Sequence, residues 1–365
     1  MKTEKQILTD KLNAKLSNRR HDILDAMTHI EKSGEMLNDF IVPSNKLLFA
    51  NGEDKKVRMG FGEEAVTLHP NAVSQLAGRF NVNAKDLQRE INGSDWERQV
   101  FVNRMQAYAD RSRKQNLLIR KVDEMAKGVL SDKYKRLNTA AIFLAFLQAA
   151  VEAGSVLVDA MHGELRDFLE VIHPTIVEIP TENNGTIHTV FGAQIRNSDF
   201  GASMLQLKVF QMNVVCLNGM VSNSMIAERH LGSRIEESGN ITFASDTVEA
   251  DTKARSLQVR DIMQSVYSEE NLTAERKRII DATEIELDFN REVKALPKSG
   301  MLQGEVEMLN KALYEGDPEN GLQGKNTLWK LAQGITHIAN EVESKDRRRD
   351  LQDLASQMVS NYVTG

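Results

Sequence analysis

A chain of 365 residues, 41% hydrophobic and 27% charged, has the makeup of a globular protein that buries one large core or two smaller ones, which excludes disorder as its main state. No run of about 18 apolar residues occurs, and charges fill the start, MKTEKQILTDKL, where a signal peptide needs an apolar stretch, so a cytoplasmic protein without a membrane span is expected. The lone Cys216 excludes an intrachain disulfide and a cysteine-based zinc cluster, and the formal charge of -6 argues against a dedicated duplex-DNA binder, whose phosphate contacts need a basic surface.

From Ile7 to Ile41 the apolar residues Leu8, Leu12, Leu16, Ile23, Met27 and Ile30 recur at helical spacing with charges between them. This predicts an amphipathic helical arm whose stripe is buried on its own domain or on a neighbouring subunit, and self-association as a homo-oligomer is expected. LLFANGEDKKVRMGF predicts a β-hairpin turning at Asn51-Gly52, and Pro70 opens a helix carrying Ala72, Leu76, Ala77 and Phe80. Asn116 to Leu137 reads as two strands joined at Asp123-Glu124, and NTAAIFLAFLQAAVEAG as an apolar helix ending at Gly154. Strand-like runs follow in SVLVDAM, PTIVEI, IHTVFGAQIRN and LQLKVFQMNVVCLNGM. Past Thr252 the pattern is almost wholly helical, broken by the Gly-rich KSGMLQGE. The expected fold is therefore α+β: a helical arm over 1–45, a core over 46–251 with a mixed, mostly antiparallel central sheet, and a helical region over 252–365 packing back on it.

Several motifs fail on physical grounds. Gly60-Phe61-Gly62-Glu63-Glu64-Ala65 fits the outline of a nucleotide fingerprint, but two glutamates would stand where a pyrophosphate meets backbone N–H groups, so a turn is expected there. No phosphate-binding loop of the Walker type is present. His162-Gly163-Glu164 lacks the cysteine pair of a zinc deaminase, and His162, Glu164, Asp167, Glu170 and His173 read as a solvated helix face. No metal or cofactor site is expected. Cys216, among Val214, Val215 and Leu217, reads as a small buried hydrophobe.

Charge is distributed unevenly. Between Glu97 and Arg136 stand eleven Lys or Arg and five Asp or Glu, a local +6 that leaves -12 for the remainder. Within it VLSDKYKRLN alternates, so an extended conformation would place Lys133 and Lys135 on one side, Tyr134 and Arg136 on the other. With Arg120 and Lys121 on the hairpin partner, this predicts a phosphate and stacking platform for single-stranded DNA; the competing reading is a solvated edge strand whose lysines prevent aggregation.

The ordered blocks LHPNAVSQLAGRF, LLIRKVDEMAKGVLSDKYKRLN, IRNSDFGASMLQLKVFQMNVVCLNGMV, RHLGS and KNTLWKLAQGITHIANE resemble a family of phage- and plasmid-borne proteins catalogued as a domain of unknown function (domain of unknown function 932). The resemblance spans Val66 to Glu341 and implies a phage or mobile-element context without an established reaction. Many members carry Asn-Ser-His-Asp-Gly where this chain has Asn197-Ser198-Asp199-Phe200-Gly201, so no catalytic or metal role carries over. If the strand through Val214 and Leu217 is central, Asn218, Asn223, Arg229 and His230 join Asn197 and Ser198 around one loop surface, as a site or as a set of turn caps.

Three functions follow as expectations. The first is a non-enzymatic accessory protein of DNA metabolism that binds single-stranded DNA, annealing or protecting it as an oligomer. The second is an effector that contacts a host defence or replication protein through its acidic surface. The third, least supported, is a metal-assisted hydrolase using His162, Glu164, His173 or His230.

Overall fold

The computed structural model describes residues 3–18, 20–112, 115–134, 136–228, 245–316 and 321–363. The arm is two helices, α1 (Glu4–Asn18) and α2 (Arg20–Met36), followed by strand β1 (Leu37–Pro43). Helical spacing runs on to Ile41 in the sequence, yet β1 pairs antiparallel along its whole length with a strand nearly eighty residues later, Leu37 opposite Val122 and Pro43 opposite Asn116. Tertiary pairing overrides the local pattern there.

A first, mixed sheet contains β1, β2 (Leu48–Asn51), β3 (Val57–Phe61), β4 (Glu64–Leu68), β5 (Asn116–Val122) and β6 (Met125–Ser131) in the order β1-β5-β6-β4-β3-β2. Only β4 and β6 pair in parallel among the described strands of this sheet. Helices α3 (Pro70–Phe80), α4 (Ala84–Ile91) and α5 (Asp95–Arg111) supply Leu76, Leu87, Phe101 and Met105 to its core, against Met59, Val66, Ile119 and Val129. Pro70 starts α3 as expected, and Ser94 with Glu97 forms a reciprocal cap on α5. The β2–β3 hairpin turns later than the Asn-Gly pair suggests: Gly52 N–H donates to the Lys56 carbonyl, and the left-handed residue is Lys55, φ 61°. Asp123, φ 52°, makes the β5–β6 turn where it was expected. Gly62, φ 58°, turns β3 into β4, so the Gly-Phe-Gly run is a hairpin corner.

The expected single central sheet is two sheets. After α6 (Thr139–Glu152) a second, antiparallel sheet contains β7 (Val156–His162), β8 (Asp167–Ile172), β9 (Val177–Thr181), β10 (Gly185–Asn197), β11 (Leu205–Asn213) and β12 (Asn218–Glu228). Its order is β12-β11-β10-β8-β7, with β9 also on β10. All nine residues of β11 are buried, so both faces are covered. On one face Ala160, Leu169, Val171, Ala193 and Ile195 meet Ile23, Ala26 and Ile30 of α2, Phe143 and Phe146 of α6, and Val259 and Met263 of α7 (Ser245–Val266). On the other, Val158, Ile172, Val190 and Met212 meet Leu8 and Leu12 of α1. The apolar stripe of the arm is thus buried on its own chain, one helix on each face of the sheet.

Helices α8 (Glu269–Glu284), α9 (Phe289–Ala295), α10 (Gln303–Glu315), α11 (Leu328–Glu341) and α12 (Lys345–Val363) share a core around Leu309, Trp329, Leu331, Ile335 and Leu351, joined to the second sheet through Phe191 and Met220. The α+β class and helical termini agree with expectation. The stretch from His162 to His173 does not. It is a strand end, a turn and β8, in which Asp167 and Glu170 are buried, because both faces of this sheet are covered by helices.

Candidate functional site

The residues read as a basic platform lie between the two sheets. Arg120, on β5, is only 4% exposed. Its Nε donates to Asp39 Oδ1 at 2.8 Å, and its guanidinium also donates to the Asp199 carbonyl. Arg136 stands 3.6 Å from the other oxygen of Asp39. The Tyr134 hydroxyl donates to the Ser198 carbonyl at 3.1 Å, and burial pushes its phenol above the usual range. Lys121 pairs with Glu64, its ammonium 5.5 Å from the centre of the Phe40 ring. Lys133 is exposed, and Lys135 lies outside the described residues. The expected alternation fails because β6 stops at Ser131: the Tyr134 N–H donates to the Ser131 carbonyl at 2.8 Å, and the chain turns. Four of the six platform side chains therefore have internal partners.

Asn197 and Ser198 belong to the same joint and are fully buried. Asn197 Nδ2 donates to Thr139 Oγ1 at 2.8 Å, while Ser198 Oγ accepts the N–H groups of Phe200 and Ala202 at 3.1 and 3.0 Å. From the first sheet's side, Asn71 and Gln75 of α3 donate to the Phe200 carbonyl at 3.1 and 2.9 Å. Burial pushes the Asp199 carboxyl up to about 6, against the pull of Arg120. Here Asn-Ser-Asp-Phe-Gly fastens one sheet to the other.

Of the loop cluster expected around Asn197, Asn218 stands apart. Asn218 pairs with Asn213, at the end of β11 opposite to Gln206, which pairs with Arg196 beside Asn197. In an antiparallel meander successive connections fall at opposite ends, so the turn before Asn218 is remote from Asn197. Asn223 lies within β12, and Arg229 and His230 fall outside the described residues. Cys216 is half-buried, its thiol 3.6 Å from Gln333 Oε1.

A second polar cluster lies between the sheet and α12. Arg349 donates to Asp159 Oδ2 at 2.7 Å, to Glu170 and to Gln352 Oε1 at 2.7 Å, with its guanidinium carbon 3.6 Å from the centre of the Phe168 ring. Gln194 donates to Glu170 at 2.7 Å. Alongside, Asp353 accepts from Arg196 at 2.5 Å and Lys208 at 2.7 Å. Burial pushes Glu170 up against the pull of Arg349; for Asp353 the two cations outweigh burial and hold it below the usual carboxylate range. These are matched charges in a closed layer.

Two of the recesses among the described residues are open. One, of roughly 230 Å³, is lined by Ser44, Arg79, Phe80, Tyr108, Arg111, Ser112, Gln115 and Leu117. Phe80 and Tyr108 stack there with ring centres 6.0 Å apart and planes at 14°. Arg79 and Arg111 are exposed residues and form no ion pair among the described residues; partial burial of its guanidinium pushes Arg79 below the usual arginine range, against the pull of Asp132. Arg111 belongs to the basic stretch noted in the sequence, but Arg79 does not, and only the packing of α3 beside α5 brings them together. The other recess, of roughly 390 Å³, is lined by Asp25, Ala26, His29, His162 and Lys345.

No family model, curated protein or solved structure matches this chain. Among the described residues no helix is long and apolar enough to cross a membrane.

Proposed function

We propose that this chain is a non-enzymatic accessory protein of phage or mobile-element DNA metabolism, and that it binds single-stranded DNA through the Arg79–Arg111 cleft. One observation carries the reading: two arginines, exposed as residues and without ion pairs among the described residues, line an open recess with a stacked Phe80–Tyr108 pair. Guanidinium groups neutralise phosphates, and aromatic side chains give bases a sequence-tolerant surface, which together suit a single strand. The overall charge of -6 makes such local basicity the means of attracting a polyanion. The ordered sequence blocks supply the mobile-element context, and annealing or protection of the bound strand is the role that context suggests.

Fluorescence anisotropy of a labelled oligonucleotide at two salt concentrations tests this. Arg79→Ala and Arg111→Ala should each weaken binding across sequences and lower the salt slope by about 0.7. Tyr108→Ala should cost about 1–3 kcal/mol with little change in slope. No binding by the parent at low salt would refute the function, while unchanged binding by the double arginine variant would refute the site.

A further inference from the structure

The chain closes its described sheet margins with its own groups. At β2, α5 packs alongside and Gln106 Oε1 accepts the Phe49 N–H at 3.0 Å. At β12, Ser356 Oγ accepts the Val221 N–H at 3.1 Å, and where β6 runs past β4 Gln75 Oε1 accepts the Val129 N–H at 2.7 Å. Helices α1 and α2 flank β7, and β9 carries Pro180. Such devices stop a strand edge from pairing with foreign backbone. The exception is β1, Leu-Asn-Asp-Phe-Ile-Val-Pro, which has β5 on one side, no described strand on the other, and neither a bulge nor a lysine.

The residue after β1 shows which of its backbone groups face outward. The Ser44 N–H donates to the Gln115 carbonyl at 2.8 Å, on the β5 side. Backbone groups alternate sides along a strand, so Asn38, Phe40 and Val42 also turn theirs to β5, while Leu37, Asp39 and Ile41 turn theirs outward. Pro43, which has no N–H, falls at an outward position, where the sheet loses no bond.

We infer that β1 pairs antiparallel with β1 of a second copy of this chain, joining the two first sheets across a two-fold axis. A second copy suits the edge better than a loose peptide because its strand is already held extended by β5, so pairing orders no further backbone. Chemistry fixes the position of the axis. An axis at Asp39 sets like charges directly opposite each other, and one at Ile41 sets Asp39 against a proline with no N–H to give. An axis at Phe40 avoids both. Asp39 then exchanges backbone bonds with Ile41 of the partner subunit, and the two Phe40 rings meet in a non-hydrogen-bonded pair, where cross-strand side chains come closest. Arg120 and Arg136 hold the Asp39 carboxylate, so no bare charge stands at the junction. The axis is perpendicular to the sheet, which leaves the Arg79–Arg111 clefts of both copies on one side; the use of paired clefts, unlike the pairing itself, rests on the function proposed above.

Sedimentation velocity of the full chain over a concentration series tests this. A ladder of 7 residues makes a small interface, so the expected result is a reversible exchange between monomer and dimer, with a dissociation constant on the order of micromolar. Ile41→Pro removes an outward N–H and no bond to β5. It should raise that constant about tenfold or more, while circular dichroism and melting stay close to the parent's. Hydrogen exchange followed residue by residue needs no variant. The amides of Leu37, Asp39 and Ile41 should gain protection as concentration rises, whereas those of Asn38, Phe40 and Val42 are protected throughout. If Ile41→Pro does not fold, this exchange pattern decides. A single-chain mass at every concentration, a dimer that folded Ile41→Pro leaves intact, or outward amides that exchange alike at all concentrations overturns the inference.

Discussion

The Tyr134 hydroxyl and the Ser198 carbonyl, 3.1 Å apart, join the turn that leaves the first sheet to the loop that leaves the longest described strand of the second. Tyr134→Phe removes the donor and leaves a buried carbonyl short of a partner. The expected loss is about 1–2 kcal/mol in urea unfolding. Affinity for single-stranded DNA should not change, because the ring serves the joint between the sheets rather than an exposed stacking surface.

Asp199 gives that joint a pH dependence. Its carboxyl is raised to about 6 from an ordinary 3.8, so between those values the folded chain binds the proton more tightly than the unfolded one. The stabilisation is complete below the lower value and lost as pH rises through the upper, about 3 kcal/mol at one unit per 1.36 kcal/mol. Asp199→Asn keeps an acceptor for Thr139 and carries no charge. Its stability relative to the parent should rise between pH 4 and pH 7.5, by about 1–3 kcal/mol; a constant difference across that range would show that Asp199 does not titrate there.

Arg349 holds the charge layer beneath α12. Arg349→Leu strands Asp159 and Glu170 in a closed interior, and the expected cost is about 3–5 kcal/mol. Without the arginine the protonated form of Glu170 gains further, so the deficit should be smaller at pH 5 than at pH 8. Adding Asp159→Asn and Glu170→Gln to the same chain should recover much of the loss, since no buried charge then lacks its partner. Chemical denaturation of the single and triple variants at both pH values measures this.

Two glycines should respond in opposite directions. A β-carbon on Gly192 would fall 1.8 Å from the Val171 carbonyl oxygen, and backbone cannot move aside without parting β8 from β10. Gly192→Ala should cost roughly 3–5 kcal/mol or prevent folding. Gly78, in α3, has nothing within 4 Å of the same position, so Gly78→Ala should stabilise by roughly 0.5–1 kcal/mol. Thermal melts of the two variants side by side check both signs.

What could be read in the sequence was what local chemistry decides. Pro70 starts a helix, Asp123 turns a hairpin and Gly154, φ 71°, follows the end of α6, each by its own backbone preference. What could not be read depended on partners far along the chain. Residues 37–43 kept helical spacing and became a strand because β5 claims them. Arg120 and Arg136 looked like free cations because Asp39, their common partner, lies in a segment that read as an arm. Glu170 looked solvated because nothing near it announces Arg349, 179 residues on. The Arg79–Arg111 cleft was half visible: one arginine stood in the basic run, and the other required the packing of two helices.

The straddling of the second sheet by α1 and α2 bears on how copies of this chain meet. Both helices lie beside β7, the strand at one margin of that sheet, so a foreign strand approaching that margin encounters helix above and below. Flanked margins resist the backbone templating by which exposed sheets recruit one another. Stripping the arm away would uncover Val158, Ile172 and Ala160 together with an open ladder of N–H and C=O groups, the combination that seeds fibrils. The arm then protects the chain's solubility as well as its fold, and a truncation meant only to shorten the protein would be expected to precipitate it.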